Sequence, residues 1–168
     1  MRRDSLGSAV LVLLVAAVLL RPWEGLGGSA LPAAEARAYV VRAVDGDTLE
    51  VDLAGRREDV RLIGVDTPET VKPGTPVQCF GPRASRFTHR RLERRPVRLV
   101  FGVERRDVYD RLLAYVYLEG RLFNAELVRR GLARTLAIPP NTRFAGRFER
   151  LQGSAARAGR GLWGGCGS

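Results

Sequence analysis

The stretch VRLIGVDTPE at residues 60–69 places a guanidinium and two carboxylates close together on the chain. Arg61 interrupts an apolar run, and Asp66 and Glu69 stand on either side of a Thr-Pro pair. A carboxylate can bind a cation or take a proton from water, and a guanidinium can hold a phosphate through two hydrogen bonds. Residues of these types at this spacing therefore indicate metal-assisted hydrolysis of a phosphodiester.

The predicted cation site pairs Asp66 with Asp47, which comes directly after an Asp-Gly turn. In three successive antiparallel strands, the start of the second and the end of the third lie at the same end of the sheet, so the two aspartates can meet. Asp45 is explained by the turn itself, whereas Asp47 is not needed for it. The one histidine, His89, is interpreted as a solvated helix residue rather than a catalyst. Oxygen ligands without histidine or thiolate support favour Ca²⁺ or Mg²⁺.

Glu69 and two arginines complete the predicted site. Glu69 would lie beside the cation, where a carboxylate can act as general base on water; the alternative is an exposed loop acid. Arg61 and Arg111 each enter an apolar strand, and together they can clamp a phosphate and stabilise the charge that develops during attack. The alternative for each arginine is an ion pair at the barrel rim, with Asp110 as the obvious partner of Arg111.

The elements that must position these residues are three strands, a helix, two strands and two helices. Strands are predicted at 38–44, 48–53, 59–65, 97–103 and 112–118, and helices at 82–95, 124–130 and 142–158. Asn124 is predicted to cap the second helix, because asparagine is favoured at helix N-termini. Five short strands with a helix between the third and fourth predict a mainly β α+β fold, an OB-type five-stranded barrel with three helices. A generic α+β sandwich is the alternative.

The chain carries a large surplus of positive charge. Its 28 lysines and arginines exceed its 18 acidic residues, so the net charge is +10. Such a surplus favours a polyanionic partner, because neutralising phosphates releases counterions. An arginine-rich composition that only aids solubility is the other interpretation, and charge alone does not choose between them.

Residues 1–36 are predicted to be a signal peptide or an N-terminal membrane anchor, followed by a linker. Two arginines precede an apolar run at residues 9–20, which is the layout of a secretory signal. Small residues offer cleavage sites after Ala30 and Ala36, but both lie far from the apolar run, so an uncleaved anchor is the alternative. In either case we expect residues 37–168 to form a monomeric domain that works outside the cytoplasm, secreted or attached to the membrane through the apolar run.

The two cysteines, Cys79 and Cys166, favour a disulfide, because paired cysteines are typical of exported domains. The bond would tie the C-terminal tail to the segment that follows residues 60–69. Closing a loop of that length is worth on the order of 4 kcal/mol in the chain-entropy model. Two unrelated thiols, or a bond between chains through Cys166, are the alternatives.

Five stretches of the chain resemble the staphylococcal nuclease family and occur in the family's order. They read VDGDT (44–48), VRLIGVDTPE (60–69), FGPRAS (80–85), YDRLLAYVY (109–117) and NAELVRRGLA (124–133). The resemblance runs from Tyr39 to Trp163. It implies a five-stranded OB barrel with three helices, and a Ca²⁺-dependent endonuclease that cleaves DNA and RNA and leaves 3′-phosphates.

The resemblance also implies a role for each site residue. It agrees with the chemistry argued above for the calcium-binding aspartates, the general base and the phosphate-binding arginines: Asp47 and Asp66, Glu69, and Arg61 and Arg111. Two further groups are implied by the resemblance alone. Thr67 would contribute its backbone carbonyl to the calcium site, and Tyr109 would lie near the terminal phosphate of the nucleotide.

The sequence departs from the family pattern around the terminal nucleotide. Val108 stands where a lysine precedes the tyrosine, Ala137 where a tyrosine stacks on the base, and Asp110 where a glycine precedes the second arginine. One lost stacking contact costs about 1–3 kcal/mol of binding, so a preference for DNA or RNA is not implied. The rival function is a non-catalytic OB-fold module that binds nucleic acid at the cell surface. Such a module is expected to have lost the acidic ligands or the base, and this chain keeps them.

Overall fold

The computed structural model describes residues 34–70, 74 and 76–166, which form eight strands and four helices. The strands are β1 (Glu35–Ala43), β2 (Thr48–Leu53), β3 (Arg56–Leu62), β4 (Gly64–Asp66), β5 (Pro96–Arg106), β6 (Leu112–Leu118), β7 (Arg121–Leu122) and β8 (Arg134–Leu136). The helices are α1 (Gly81–Leu92), α2 (Phe123–Arg129), α3 (Ala145–Arg157) and the single-turn α4 (Leu162–Gly165).

Five of the strands close into a barrel of the predicted OB type. The strands β1, β2 and β3 form an antiparallel meander, and β1 also pairs with β5, which pairs with β6. A parallel pairing between β3 and β6 closes the barrel. Fully buried side chains from alternate strand positions fill the interior, among them Val40, Leu49, Val60, Leu99 and Val116. The mainly β α+β barrel with three longer helices is therefore confirmed, and the sandwich is excluded.

The predicted third strand at 59–65 is wrong in one respect, because the chain bends at Ile63 and forms two strands, β3 and β4. Gly64 follows the bend with φ +80, a left-handed value that suits glycine. A Cβ added there would lie 2.6 Å from the Phe148 ring, so glycine also lets α3 approach closely. The redirected strand β4 pairs with β8 and carries Asp66 as its last residue.

Asn124 supports this bend and does not cap α2 as predicted. The helix begins at Phe123, so Asn124 lies inside it, and its side chain makes no capping hydrogen bond. It is fully buried instead, where Nδ2 donates to the Ile63 carbonyl at 2.9 Å and Oδ1 accepts from the Val116 N–H at 2.9 Å. The side chain satisfies backbone groups that the bend takes out of the sheet ladder.

The first strand begins before the predicted domain boundary. Glu35 and Ala36 lie opposite Val100 and Leu99 of β5, so cleavage after Ala36 would remove the first two residues of β1. Cleavage after residue 30 would leave the strand whole. The predicted signal or anchor lies outside the described residues, and within the described part no helix is long and apolar enough to cross a membrane.

The predicted disulfide is present between Cys79 and Cys166, which are separated by 87 positions in the sequence. Cys79 lies just before α1, and Cys166 directly follows α4. The bond therefore fastens the C-terminal end of the chain to the segment between β4 and α1.

Candidate active site

All seven residues predicted for metal binding, catalysis and substrate binding line one open cleft of about 570 Å³. These are Asp47, Arg61, Asp66, Thr67, Glu69, Tyr109 and Arg111. Val44, Asp45, Thr48 and Asp59 complete the lining. The cleft holds five carboxylates and two guanidiniums, so its formal charge is minus three in a chain of net charge +10. Such a lining attracts cations more readily than it attracts free anions.

Asp47 is buried and joins the β1–β2 turn to the residue that follows β4. Its Oδ2 accepts hydrogen bonds from the backbone N–H of Thr67 at 2.6 Å and from the Thr67 hydroxyl at 3.0 Å. Asp45 serves the turn as predicted, because its Oδ1 accepts from the backbone N–H groups of Asp47 and Thr48. Burial raises the pKa of Asp47 to about 7, against the lowering effect of the Arg61 guanidinium.

Arg61 joins the two predicted metal ligands through one guanidinium. It lies on β3 between β2 and β6, and its side chain is 15% exposed. Nη1 donates to the Val65 carbonyl at 2.8 Å and lies 3.1 Å from Asp47 Oδ2, and Nη2 donates to Asp66 Oδ1 at 2.9 Å. The ion pairs considered as an alternative for Arg61 are therefore present, and they fix the guanidinium at the wall of the cleft.

Arg111 is held by Asp107 and not by Asp110, the partner that the sequence suggested. Its Nε and Nη2 lie 2.8 and 2.7 Å from Asp107 Oδ2, and its backbone N–H donates to Oδ1 at 3.0 Å. Burial alone would raise the pKa of Asp107, but hydrogen bonds from Arg111 and from the Tyr109 backbone outweigh it and lower that pKa. Asp110 has φ 65 and faces Arg106 at 3.5 Å. The Arg111 guanidinium also lies over the Tyr109 ring, 5.4 Å from its centre.

Glu69 lies in a loop that Gln78 closes, a residue that the sequence patterns did not single out. The Gln78 side chain accepts from the Glu69 N–H at 3.0 Å, and the Gln78 N–H donates to the Glu69 carbonyl at 2.9 Å. The Glu69 carboxylate accepts from the Thr70 N–H at 2.8 Å. Cys79 follows directly and carries the disulfide to Cys166, so the tail of the chain supports this loop. The only sequence signal for Gln78 is its position beside a paired cysteine.

The donor types in the cleft fit a hard cation. Asp47 and Asp66 offer carboxylate oxygens, Thr67 lines the cleft beside them, and a hard cation accepts water for its remaining positions. In the described part of the chain, no group of three or more His, Cys, Asp or Glu side chains lies close enough to hold a metal ion by itself. His89 lies outside the lining of this cleft, on α1, where its side chain is half exposed and its Nδ1 lies 2.7 Å from Glu93 Oε2.

An apolar cleft of about 360 Å³ adjoins the site. The two clefts share three lining residues: Arg61, Tyr109 and Arg111. Exposed aliphatic side chains contribute to the new wall: Val108, Leu136 and Ile138. Ala137, which stands where the family pattern has a stacking tyrosine, is exposed between two of them. Aliphatic groups therefore flank the position at which an aromatic ring was expected.

Comparison with known proteins supports the resemblance found in the sequence. The family described as "Staphylococcal nuclease homologue" matches residues 59–165. A thermonuclease of Staphylococcus hyicus is 46% identical over 124 residues, which cover 74% of this chain and 73% of that protein. A thermonuclease of Staphylococcus intermedius is 40% identical over 166 residues, covering 97% and 99%. Endonuclease YncB of Bacillus subtilis (strain 168) is 41% identical over 119 residues, covering 70% and 56%.

Proposed function

Because this chain belongs to the staphylococcal nuclease family and is a nuclease, we propose that it is a calcium-dependent endonuclease of DNA, RNA or both. The observation that carries the proposal is the single cleft that brings together two aspartates, a glutamate and two arginines from separate elements. The nuclease relatives favour catalysis over the non-catalytic binding module.

Asp47, Asp66 and the backbone carbonyl of Thr67 would hold the calcium ion. When bound, the ion supplies positive charge that polarises the phosphodiester and compensates the acidic lining of the cleft. Calcium is favoured over softer metals because each proposed donor is an oxygen. The burial of Asp47 and its two hydrogen bonds from Thr67 support a fixed position for these donors.

Glu69 is the proposed general base. Its carboxylate would take a proton from the attacking water while the new oxygen–phosphorus bond forms and the bond to the 5′ oxygen breaks. The departing 5′ oxygen would take a proton from solvent water, so the products would be a 3′-phosphate and a 5′-hydroxyl. Two hydrogen bonds between Gln78 and the backbone N–H and carbonyl of Glu69 support this assignment, because they restrain the segment that carries the carboxylate.

Arg61 and Arg111 are proposed to bind the scissile phosphate and to stabilise the charge that develops on it. Each guanidinium is held by carboxylates at 2.7 to 3.1 Å, so its orientation is set before the substrate arrives. Tyr109 is proposed to contact the terminal phosphate, and the adjoining apolar cleft to receive the nucleotide base by aliphatic contact.

We also propose that the protein works outside the cytoplasm. The disulfide between Cys79 and Cys166 supports an oxidising compartment, and the sequence of residues 1–36 has the layout of an export signal or anchor. Fractionation of cells that express the full chain, followed by N-terminal sequencing of the product, distinguishes a cleaved signal from a retained anchor.

The test of the main proposal is cleavage of single-stranded DNA, double-stranded DNA and RNA by the purified protein in Ca²⁺, in Mg²⁺ and in EDTA. Cleavage in Ca²⁺ that stops on chelation, with 3′-phosphate ends, supports the proposal. Calorimetric titration with Ca²⁺ alone provides a second readout, since Asp47→Asn should weaken binding of the metal itself. Cleavage that persists in EDTA would refute the calcium dependence while leaving the nuclease assignment in place.

A further inference from the structure

A second open cleft of about 570 Å³ has a lining opposite in charge to that of the active site. We call it the arginine groove. Its lining contains five arginines and no acidic residue: Arg83, Arg86, Arg90, Arg130 and Arg160, with Phe80, Phe87, Leu132 and Gly161. Three of the arginines come from α1, and the other two follow α2 and α3. The active-site function proposed above uses none of them.

Within the part of the chain that the structure describes, three of the four α1 arginines have no carboxylate partner, whereas Arg91 lies 3.8 Å from Glu126, a carboxylate that also pairs with Arg130 of the groove at 3.0 Å. Arg83, Arg86 and Arg90 are spaced by three and four residues, so they lie on one exposed helix face. Among the described residues, no ion pair links any of these three to a carboxylate, whereas Arg42 and Arg98 elsewhere on the surface have carboxylate partners at 2.8 and 2.7 Å. Unpaired like charges on one helix face repel each other. An anionic ligand would relieve that repulsion.

Two phenylalanine rings in the groove lie against arginine guanidiniums. The Arg83 guanidinium lies 4.7 Å from the centre of the Phe80 ring, and that of Arg130 lies 4.8 Å from the centre of the Phe87 ring. Stacked guanidiniums remain able to donate hydrogen bonds in their own plane. Arginines in this arrangement are suited to the phosphates of a polymer.

The helix that carries the groove is fixed to the active site at two points. Gly81, at the start of α1, packs so closely on the Glu69 loop that an added Cβ would lie 2.9 Å from the Glu69 carbonyl oxygen. Near the helix end, the buried Thr88 hydroxyl donates to the Gly46 carbonyl at 2.7 Å, in the turn that precedes Asp47. A ligand bound to α1 therefore has a fixed position relative to the active-site cleft.

We propose that the arginine groove binds the phosphodiester backbone of polynucleotide substrates away from the bond that is cut. The active-site lining has a formal charge of minus three, and one bound calcium ion would still leave it at minus one, so by itself it attracts a polyanion poorly, and the groove supplies the missing attraction. The inference rests on the nuclease activity but not on its calcium dependence. An anionic membrane is the less favoured ligand, because none of the described exposed large hydrophobic residues lines the groove.

The test compares a single-stranded DNA of about 40 nucleotides with a trinucleotide, since a short substrate occupies the active site alone. The groove variant is Arg83→Ser/Arg86→Ser/Arg90→Ser. We expect its KM for the long DNA to rise on the order of 10- to 100-fold at about 0.1 M salt, with kcat and the KM for the trinucleotide unchanged. The slope of log KM against log salt should fall by about 2 units, roughly 0.7 for each lost phosphate contact.

Two control variants separate the groove from net charge and from folding. Arg56→Ser/Arg121→Ser/Arg150→Ser also removes three exposed arginines, all outside the groove and the active site, and should change the KM for long DNA far less. The variant Arg83→Lys/Arg86→Lys/Arg90→Lys keeps the charge and should retain most of the binding to long DNA.

Equal effects of the two serine variants would overturn the proposal in favour of net charge. An equal rise in the KM for the trinucleotide with the groove variant would overturn the proposal, because it would place these arginines in the active site. Loss of binding to phosphatidylglycerol vesicles with unchanged KM for long DNA would assign the groove to membranes. Each assay is repeated in EDTA, so a failure of calcium dependence appears in the wild-type protein and is not confused with a failure of the groove.

Discussion

The arginines of the active-site cleft and those of the arginine groove differ in what surrounds them. Arg61 and Arg111 are partly buried and are paired with Asp47, Asp66 and Asp107 at 2.7 to 3.1 Å. The α1 arginines of the groove are exposed and have no carboxylate partner among the described residues. Paired guanidiniums are held in one geometry, which a transition state requires. Exposed guanidiniums without a carboxylate partner keep their full charge, which suits binding that is independent of sequence.

The contrast extends to the balance of charge. The same chain of net charge +10 builds one cleft with excess carboxylate and another in which every charged lining residue is an arginine. The net charge of the whole chain therefore does not predict the local charge of either cleft. Four variants, beyond those that test the groove, break or sharpen this comparison.

Glu69→Gln should have the largest effect, because it removes the proposed base and keeps the shape of the side chain. We expect kcat to fall by about 10²- to 10⁴-fold, with the KM for long DNA unchanged because the groove is intact. Steady-state kinetics on the long DNA measure both values. Glu149→Gln, at an exposed position on α3, is the matched control and should behave as wild type. A Glu69→Gln enzyme that turns over at the wild-type rate would remove Glu69 from the mechanism.

The double variant Cys79→Ser/Cys166→Ser tests a support that the two regions share. The disulfide closes a loop across 87 positions, so its loss should lower the free energy of unfolding by about 4 kcal/mol in the chain-entropy model. Urea denaturation of the variant and of wild type, each with and without reductant, measures the difference. Reductant should destabilise only the wild type. A variant as stable as the oxidised wild type would mean that the bond does not restrain the tail or the Glu69 loop.

Lysine should be tolerated in the groove and not in the cleft. In Arg61→Lys a single ammonium group replaces a guanidinium that contacts Asp47, Asp66 and the Val65 carbonyl. Because hydrogen bonds to charged groups are lost, kcat should fall by about 10- to 100-fold. Arg83→Lys is the matched control and should change kcat little. Equal tolerance at both positions would show that the cleft uses Arg61 only as a charge.

Asp107→Asn should have the smallest effect, and one that depends on pH. The folded protein lowers the pKa of Asp107, so the carboxylate stabilises the fold above its unfolded pKa of about 3.9, and the stabilisation disappears as pH falls through the lower folded value. At pH 7 the variant should be less stable by about 1 kcal/mol. The difference should shrink towards pH 3. Urea denaturation at both pH values tests this, and a difference that is constant with pH would mean that packing, not charge, links Asp107 to Arg111.

The elements that were predicted well have strong local patterns. Strands β2 and β6 have the predicted bounds, because alternating apolar residues fill one face of each and turn residues flank them. The face of α1 that carries Ala84, Phe87 and Leu92 is buried as its helical spacing predicted. The short strands β7 and β8 have two and three residues, too few for any periodicity to appear.

The roles that the sequence did not reveal depend on contacts between distant segments. Gln78 holds the Glu69 loop and Asn124 holds the bend at Ile63, in each case by hydrogen bonds to backbone groups. Which backbone N–H or C=O group a side chain will meet has no signature in the sequence. Asp107 was missed for a related reason, since Asp110 is nearer to Arg111 in the chain but has a left-handed φ and faces Arg106.

The sequence by itself determined the OB barrel and the disulfide. It also determined the set of residues that meet in the active-site cleft, because strand order and turn positions bring the start of β2 beside the end of β3. Only the tertiary structure decided which partner each charged group takes and where the arginines without partners collect. Both outcomes depend on distances of a few ångströms between segments far apart in the chain, and at those distances burial and hydrogen bonding set the energy of a charge.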